Sequence, residues 1–212
     1  MLDKIVVVTG GEGSMAKAIT KYLREAKFET YNPGRDLLDV TNKVMVKSYM
    51  EHHRPWLLVN CAGHIVPNLI RDTSLAEWQT HFDVNVTGAF LCARYACLSG
   101  CRIVINIGST SAFEGRKGWG AYSASKAALI SLTETLAEDG VDAYSLNPAR
   151  TKTKMRKRLF PNEDEETLMS PEKVASQVLD ILDLFSGGLK SGSHIILSKD
   201  HHYVLPKRSC PK

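Results

Sequence analysis

Short β-branched runs alternating with longer segments of helical period predict an α/β fold, a doubly wound parallel sheet in a single three-layer domain. Three observations carry this. The run Ile5-Val6-Val7-Val8 is continuously apolar, as a central parallel strand buried on both faces requires. It leads directly into the glycine-rich stretch Thr9-Gly10-Gly11-Glu12-Gly13-Ser14-Met15-Ala16 and then a helical pattern. Further strand-like runs recur at 56–59, Ile103–Ile107, 141–146 and His194–Leu197, each separated from the next by a helical or loop segment.

Taken in order, Met15, Ile19, Tyr22, Leu23 and Ala26 share one helical face after the glycine stretch. Residues 28–31 make a weaker second strand, ended by Asn32-Pro33-Gly34. Ser74-Leu75-Ala76-Glu77 reads as a capping box opening a helix that runs towards Ala96. Residues 122–138 form the next helix. Ser170-Pro171 starts a late helix whose apolar face is Val174, Val178 and Ile181, with proline at its tolerated first position. The run His194–Leu197 is expected to close the sheet, and residues 207–212 read as a frayed tail, so the domain spans residues 1–206.

With 43% hydrophobic and 24% charged residues, the 212-residue chain has the composition of a folded globular domain rather than a disordered one. A net charge of +4 implies no nucleic-acid partner. No apolar run reaches the ~20 residues of a membrane helix, so no membrane partner is expected. The first strand begins almost at Met1, which leaves no room for a leader, and the expected location is cytoplasmic. The five cysteines are odd in number and lack repeated metal-ligand spacing, and the histidines add none, so no metal is expected.

The chemistry centres on Ser109, Tyr122 and Lys126. Tyr122 and Lys126 are four apart on one helix and share a face. An ammonium beside a phenol favours the phenolate and lowers its pKa from about 10 towards the range of a working acid/base. Ser109 lies just past the strand Ile103–Ile107, at the carboxyl edge where open α/β sheets bind ligands. The glycine-rich turn lets a pyrophosphate approach the backbone at a helix N-terminus. Each signal alone also fits a bland reading: a tight turn without a ligand, or an exposed helical pair.

Together these residues resemble the short-chain dehydrogenase/reductase family over nearly the whole chain. Its glycine turn is similar to residues 9–16, with Ser14 and Ala16 standing where the family usually has its second and third glycines. Its Asn-Asn-Ala-Gly resembles Asn60-Cys61-Ala62-Gly63, and its helix asparagine resembles Asn85. Its serine, thirteen residues before the tyrosine, is Ser109, and its Tyr-x-x-x-Lys is Tyr122 with Lys126. Its Asn-Pro-Gly-x-x-x-Thr stretch resembles residues 147–153, with Ala149 in place of glycine.

The resemblance implies an oxidoreductase that moves a hydride between a nicotinamide cofactor and a carbonyl or secondary alcohol. Tyr122 would exchange the proton with the substrate oxygen and Ser109 would orient that oxygen. Lys126 would tune the tyrosine and hold the nicotinamide ribose, and Asn85 would anchor a water linking Lys126 to solvent. The cofactor would lie on Gly10, Gly13, Ser14, Met15, Arg35, Asp39, Asn60, Ala62, Gly63, Tyr122, Lys126, Pro148, Thr151 and Thr153. A homodimer or homotetramer through the two long helices is the assembly that the resemblance implies. The close tyrosine–lysine spacing favours carbonyl chemistry over C=C reduction. Two other readings stay open: a non-catalytic nucleotide sensor or scaffold, and a sugar-nucleotide epimerase or dehydratase.

Aligning without gaps from Gly10 puts Gly34 where NAD-binding relatives carry an acid, with Arg35 next to it. That favours NADP(H) over NAD(H), with Asp36 as the counter-indication. Arg150, Lys152, Lys154, Arg156, Lys157 and Arg158 would suit an anionic substrate, such as a phosphorylated or nucleotide-linked sugar or a carrier-bound acyl group. The competing reading is a solvated basic surface neutralised by Glu163, Asp164, Glu165 and Glu166.

Overall fold

The computed structural model describes residues 4–186 and 188–208. The strands are β1 (Ile5–Val8), β2 (Glu29–Tyr31), β3 (Leu57–Asn60), β4 (Ile103–Ile107), β5 (Asp142–Pro148), β6 (His194–Leu197) and β7 (His202–Leu205). They form one sheet in the order β2-β1-β3-β4-β5-β6-β7, parallel throughout except for the antiparallel β6–β7 pair. The helices are α1 (Ser14–Glu25), α2 (Lys43–His53), α3 (Leu75–Phe82), α4 (Gly88–Leu98), α5 (Gly120–Glu138), α6 (Lys154–Leu159) and α7 (Pro171–Ser186).

Val6, Val7 and Val8 are fully buried, because side chains that alternate across the sheet meet helices on both faces. Val6 and Val8 pack with Ile19 and Leu23 of α1 and Val174, Val178 and Ile181 of α7. Val7 packs with Val46 and Met50 of α2 and Cys92 and Ala96 of α4. Each such apolar side chain contributes about 1.5–3 kcal/mol on burial.

The local signals act where they stand. The hydroxyl of Ser74 accepts from the Glu77 N–H at 3.2 Å and the Glu77 carboxylate accepts from the Ser74 N–H at 2.8 Å, closing the capping box. The Ser170 hydroxyl accepts from the Lys173 N–H at 3.2 Å, ahead of Pro171 in the first turn of α7.

Three expectations change. The helix expected over 74–96 is α3 and α4 joined by a π turn, Asp83–Thr87, with Asp83 and Gly88 both in right-handed helical geometry. The sheet does not end at β6, since β7 adds an edge strand whose four residues are all exposed and so lack the alternation that marks a half-buried strand. The expected fraying from residue 207 is not seen at its first two positions. Lys207 ion-pairs with Glu138, and Arg208 ion-pairs with Glu134 at 2.7 Å. Residues 209–212 lie outside the described residues.

Candidate active site

From β1 the chain runs to β2 on one side and to β3 on the other, so the carboxyl ends of β1 and β3 flank the switch point where such sheets form a crevice. Thr9 fastens the two ends together, its hydroxyl accepting from the N–H groups of Cys61 and Ala62 at 3.0 Å each. Gly10 has φ +72°, and a Cβ there would fall 2.8 Å from the Ala62 Cα, so neither its conformation nor its packing admits a side chain. Gly13 caps α1 without a side-chain hydrogen bond, leaving the first N–H groups of the helix facing the crevice.

The crevice is a cavity of ≈ 330 Å³ running from Arg35, Leu38, Asp39 and Val40, past Gly10, Gly13, Ser14 and Met15, to Ala62, Gly63, Tyr122 and Lys126. Its shape fits a dinucleotide: a cradle of small residues at a helix N-terminus, with polar side chains at both ends. Among the expected cofactor residues, Thr153 also lines it, whereas Pro148 and Thr151 line an adjoining pocket. Asn60 lines neither. Its Nδ2 donates to the Ala89 carbonyl at 3.2 Å and to Asn106 Oδ1 at 2.9 Å, joining β3 to β4 and α4 inside the protein. Asp36 is absent from the lining, and Arg35 Nε donates to Asp39 Oδ2 at 2.9 Å.

At the other end of the crevice, α5 carries Tyr122 and Lys126 inward. Lys126 is 5% exposed, and its Nζ donates to the Ile107 carbonyl at 2.8 Å. Burial pulls its pKa down to about 8, opposed by the Cys61 thiol. Tyr122 is pushed up from the usual phenol value by burial, while the Ser109 hydroxyl and the Arg116 charge draw it back. The Ser109 hydroxyl and the Arg116 charge thus act on the phenol from the side of β4, where spacing along α5 gives no sign of them. Ser109 caps the turn after β4, its hydroxyl accepting from the Ser111 N–H at 3.2 Å and from the Ser111 hydroxyl at 2.8 Å.

Asn85 sits in the π turn, 1% exposed. Its Oδ1 accepts from the His64 N–H at 2.8 Å, and its Nδ2 donates to the His64 carbonyl at 3.0 Å and the Ser125 hydroxyl at 2.9 Å. The extra residue of a π turn re-aims one side chain within a helix, and such turns are frequent at functional sites. Here it points Asn85 at the loop after β3 and at α5 together.

Beside Tyr122 and Ser109 lies the adjoining pocket, which Arg116, Trp119, Arg150 and Arg156 also line. Arg116 and Trp119 were not anticipated; the only trace of them in the sequence is a position between Ser109 and Tyr122. The basic segment is substantially neutralised. Arg156 makes two short hydrogen bonds to Glu163, at 2.6 and 2.7 Å, and Arg150 reaches the same carboxylate at 3.4 Å. Lys152 and Lys157 pair with Glu165, while Lys154 and Arg158 make no ion pair among the described residues. Among those residues, no group of three or more His, Cys, Asp or Glu could hold a metal, and no helix is long and apolar enough to cross a membrane.

The family model described as short chain dehydrogenase matches residues 36–164, more than half of the chain. A bifunctional ribulose 5-phosphate reductase/CDP-ribitol pyrophosphorylase of Haemophilus influenzae is 29% identical over 96% of this chain, which spans 45% of that relative's length. An uncharacterized oxidoreductase of Staphylococcus aureus is 29% identical over 84% of this chain and 90% of its own. Among solved structures, ElxO with NADP bound has a TM-score of 0.80 at 20% identity, covering 93% of this chain and 97% of its own. The aldohexose dehydrogenase of Thermoplasma acidophilum has a TM-score of 0.80 at 24% identity, covering 93% of both chains. These two show likeness of fold. The family match, falling on a chain whose sheet switch point already holds the glycine turn and the Tyr122–Lys126 pair, makes this protein a member of the short-chain dehydrogenase/reductase family, an NAD(P)-dependent oxidoreductase acting on small molecules.

Proposed function

We propose that Tyr122 is the general acid/base for interconverting a carbonyl and a secondary alcohol, with NADP(H) preferred over NAD(H). The single observation that carries this is the end of the crevice, where Tyr122 borders both the cavity and the adjoining pocket and Ser109 borders the latter beside it. The bound nicotinamide supplies or accepts the hydride. In reduction, Tyr122 gives its proton to the substrate oxygen and Ser109 donates a hydrogen bond to the same oxygen. In oxidation the proton returns to Tyr122. Lys126, held by the Ile107 carbonyl, presents its ammonium to the floor of the crevice beside Gly63, where it holds the ribose and stabilises negative charge on the phenol. Asn85 fixes the loop and helix that carry these groups, and anchors a water towards Lys126.

Arg35, exposed at the far end of the crevice, supports the NADP(H) preference, because a guanidinium suits a ribose phosphate. The structural neighbour ElxO was solved with NADP bound. The substrate is an anionic carbonyl compound of the phosphorylated ketose class. Arg116, Arg150 and Arg156 line the adjoining pocket, and each would exchange its carboxylate partner, Glu114 or Glu163, for the substrate anion; the ribulose 5-phosphate reductase named in the H. influenzae relative supports the same class. The protein acts as one domain over residues 1–206, in the cytoplasm, as a homodimer or homotetramer joined through the α3–α4 segment and α5. The test is NADPH oxidation with paired ketones that differ only in a phosphate. A kcat/KM at least tenfold higher for the phosphorylated member supports the reading, and equal values overturn the anionic substrate.

A further inference from the structure

The adenosine end of the crevice carries a carboxylate that the glycine turn contributes and that no ion pair uses among the described residues. Gly34 stands where relatives that bind NAD place an acid, and the Glu12 side chain borders the space a side chain there would enter. A Cβ on Gly34 would lie 3.2 Å from Cγ, 3.5 Å from Cδ and 3.4 Å from Oε1 of Glu12. Glu12 lines the crevice together with Arg35 and Asp39. Arg35 is engaged with Asp39 at 2.9 Å, and among the described residues Glu12 makes no salt bridge or side-chain hydrogen bond.

We propose that Glu12 takes over the role of the missing strand-end acid: its carboxylate accepts from the adenosine ribose hydroxyls, and it opposes Arg35 in setting cofactor choice. The inference rests on the reading of the crevice as the dinucleotide site. Ribose hydroxyls are donors and a carboxylate is an acceptor-only group, so the pairing suits NADH. A 2′-phosphate brings two negative charges to the same place. It would be attracted by Arg35 and repelled by Glu12 and Asp39, which leaves the three protein charges one negative in sum. Arg35 must also leave Asp39 to reach a phosphate. The preference for NADPH over NADH is therefore narrow, less than about tenfold, with Glu12 holding it down.

Dissociation constants for NADPH and NADH, measured by nucleotide fluorescence on the wild type, Glu12→Gln, Glu12→Ala and Arg35→Ala, test this without turnover. Glu12→Gln keeps the shape of the exposed turn and removes only the charge. It is expected to tighten NADPH by up to about tenfold, the scale of one like-charge contact at a solvent-screened surface. Glu12→Ala is expected to do the same while weakening NADH about fivefold. A NADPH-to-NADH affinity ratio within twofold of wild type in both Glu12 variants would overturn the proposal. An unchanged ratio in Arg35→Ala alone would instead remove the Arg35 assignment and leave Glu12 standing. Loss of both nucleotides' binding in the wild type would remove the dinucleotide site itself.

Discussion

The ammonium of Lys126 donates to the carbonyl of Ile107 at 2.8 Å and lies 5.8 Å from the ring centroid of Tyr122. The lysine is thus anchored to the end of β4 rather than to the phenol, in a site that disfavours its charge. Its pKa falls from the ordinary 10.5 to about 8 through burial.

This has a pH signature. Between about pH 8 and 10.5 the folded chain has released the lysine proton while the unfolded chain still holds it, so stability rises with pH across that window. Below it the cost of the buried charge is fully present, about 3 kcal/mol at 1.36 kcal/mol per pKa unit. Lys126→Met removes the titration. The stability difference, wild type minus variant, is expected to grow by up to about 3 kcal/mol from pH 8 to 10.5. Urea unfolding of both proteins at several pH values measures it, and a flat difference would mean the lysine is charged at little cost.

Tyr122→Phe keeps the ring and its packing against Trp119 and loses only the hydroxyl. Turnover is expected to fall by about 10²-fold or more, the scale of a lost acid/base, with NADPH affinity within about twofold of wild type. Steady-state rates with a nucleotide titration check both halves. A fully active Phe variant would sink the assignment of Tyr122.

The sheet and the glycine turn were readable because burial on both faces leaves a run such as Ile5–Val8 continuously apolar, and because a turn as tight as that at Gly10 admits almost no other residue. The Tyr122–Lys126 pair was readable from helical spacing. Its electrostatics were not, because the depth of the lysine and its bond to Ile107 depend on β4, remote in sequence. Strand β7 was missed for the opposite reason, since four exposed residues carry no burial pattern. Asn60 shows the limit of motif matching. Its side chain is spent inside the sheet, a distinction that spacing does not encode, whereas Arg35 rather than Asp36 lines the crevice as the ungapped alignment from Gly10 leads one to expect.

Asn85→Ala removes hydrogen bonds to both backbone groups of His64 and to Ser125. Leaving buried partners unpaired costs about 1–3 kcal/mol each at most, so a total loss of about 2–3 kcal/mol is expected after relaxation. Turnover should fall with it, since the loop at Gly63 and helix α5 lose their shared tie. The denaturation midpoint should drop at unchanged m-value. An unaltered midpoint would show the tie to be redundant.

Glu134 is held at a pKa of about 2, first by hydrogen bonding from Arg208 and further by His194. Its contribution to stability is present above the ordinary carboxylate range and is lost as pH falls through about 2. Because Arg208 is largely exposed, solvent screening discounts the pair to about 1 kcal/mol. Arg208→Ala should therefore lower stability by about 1 kcal/mol at neutral pH, with the difference shrinking in high salt. Thermal unfolding at low and high ionic strength gives the answer, and an equal difference in both would point to packing rather than charge.

The Lys154 N–H donates to the Ser14 hydroxyl at 3.1 Å, fastening the segment after β5 to the glycine turn. Thr153, Lys154 and Met155 border the long crevice, and Arg150, Thr151 and Arg156 of the same segment border the adjoining pocket. Glu163 and Glu165 bind its basic side chains into a unit. Two ligands thus share one door. Any displacement of this segment opens both sites at once, so the two are coupled through it. The expected kinetic consequence is an ordered sequence, nucleotide first in and last out; product inhibition by the oxidised nucleotide that is competitive with the carbonyl compound would overturn it.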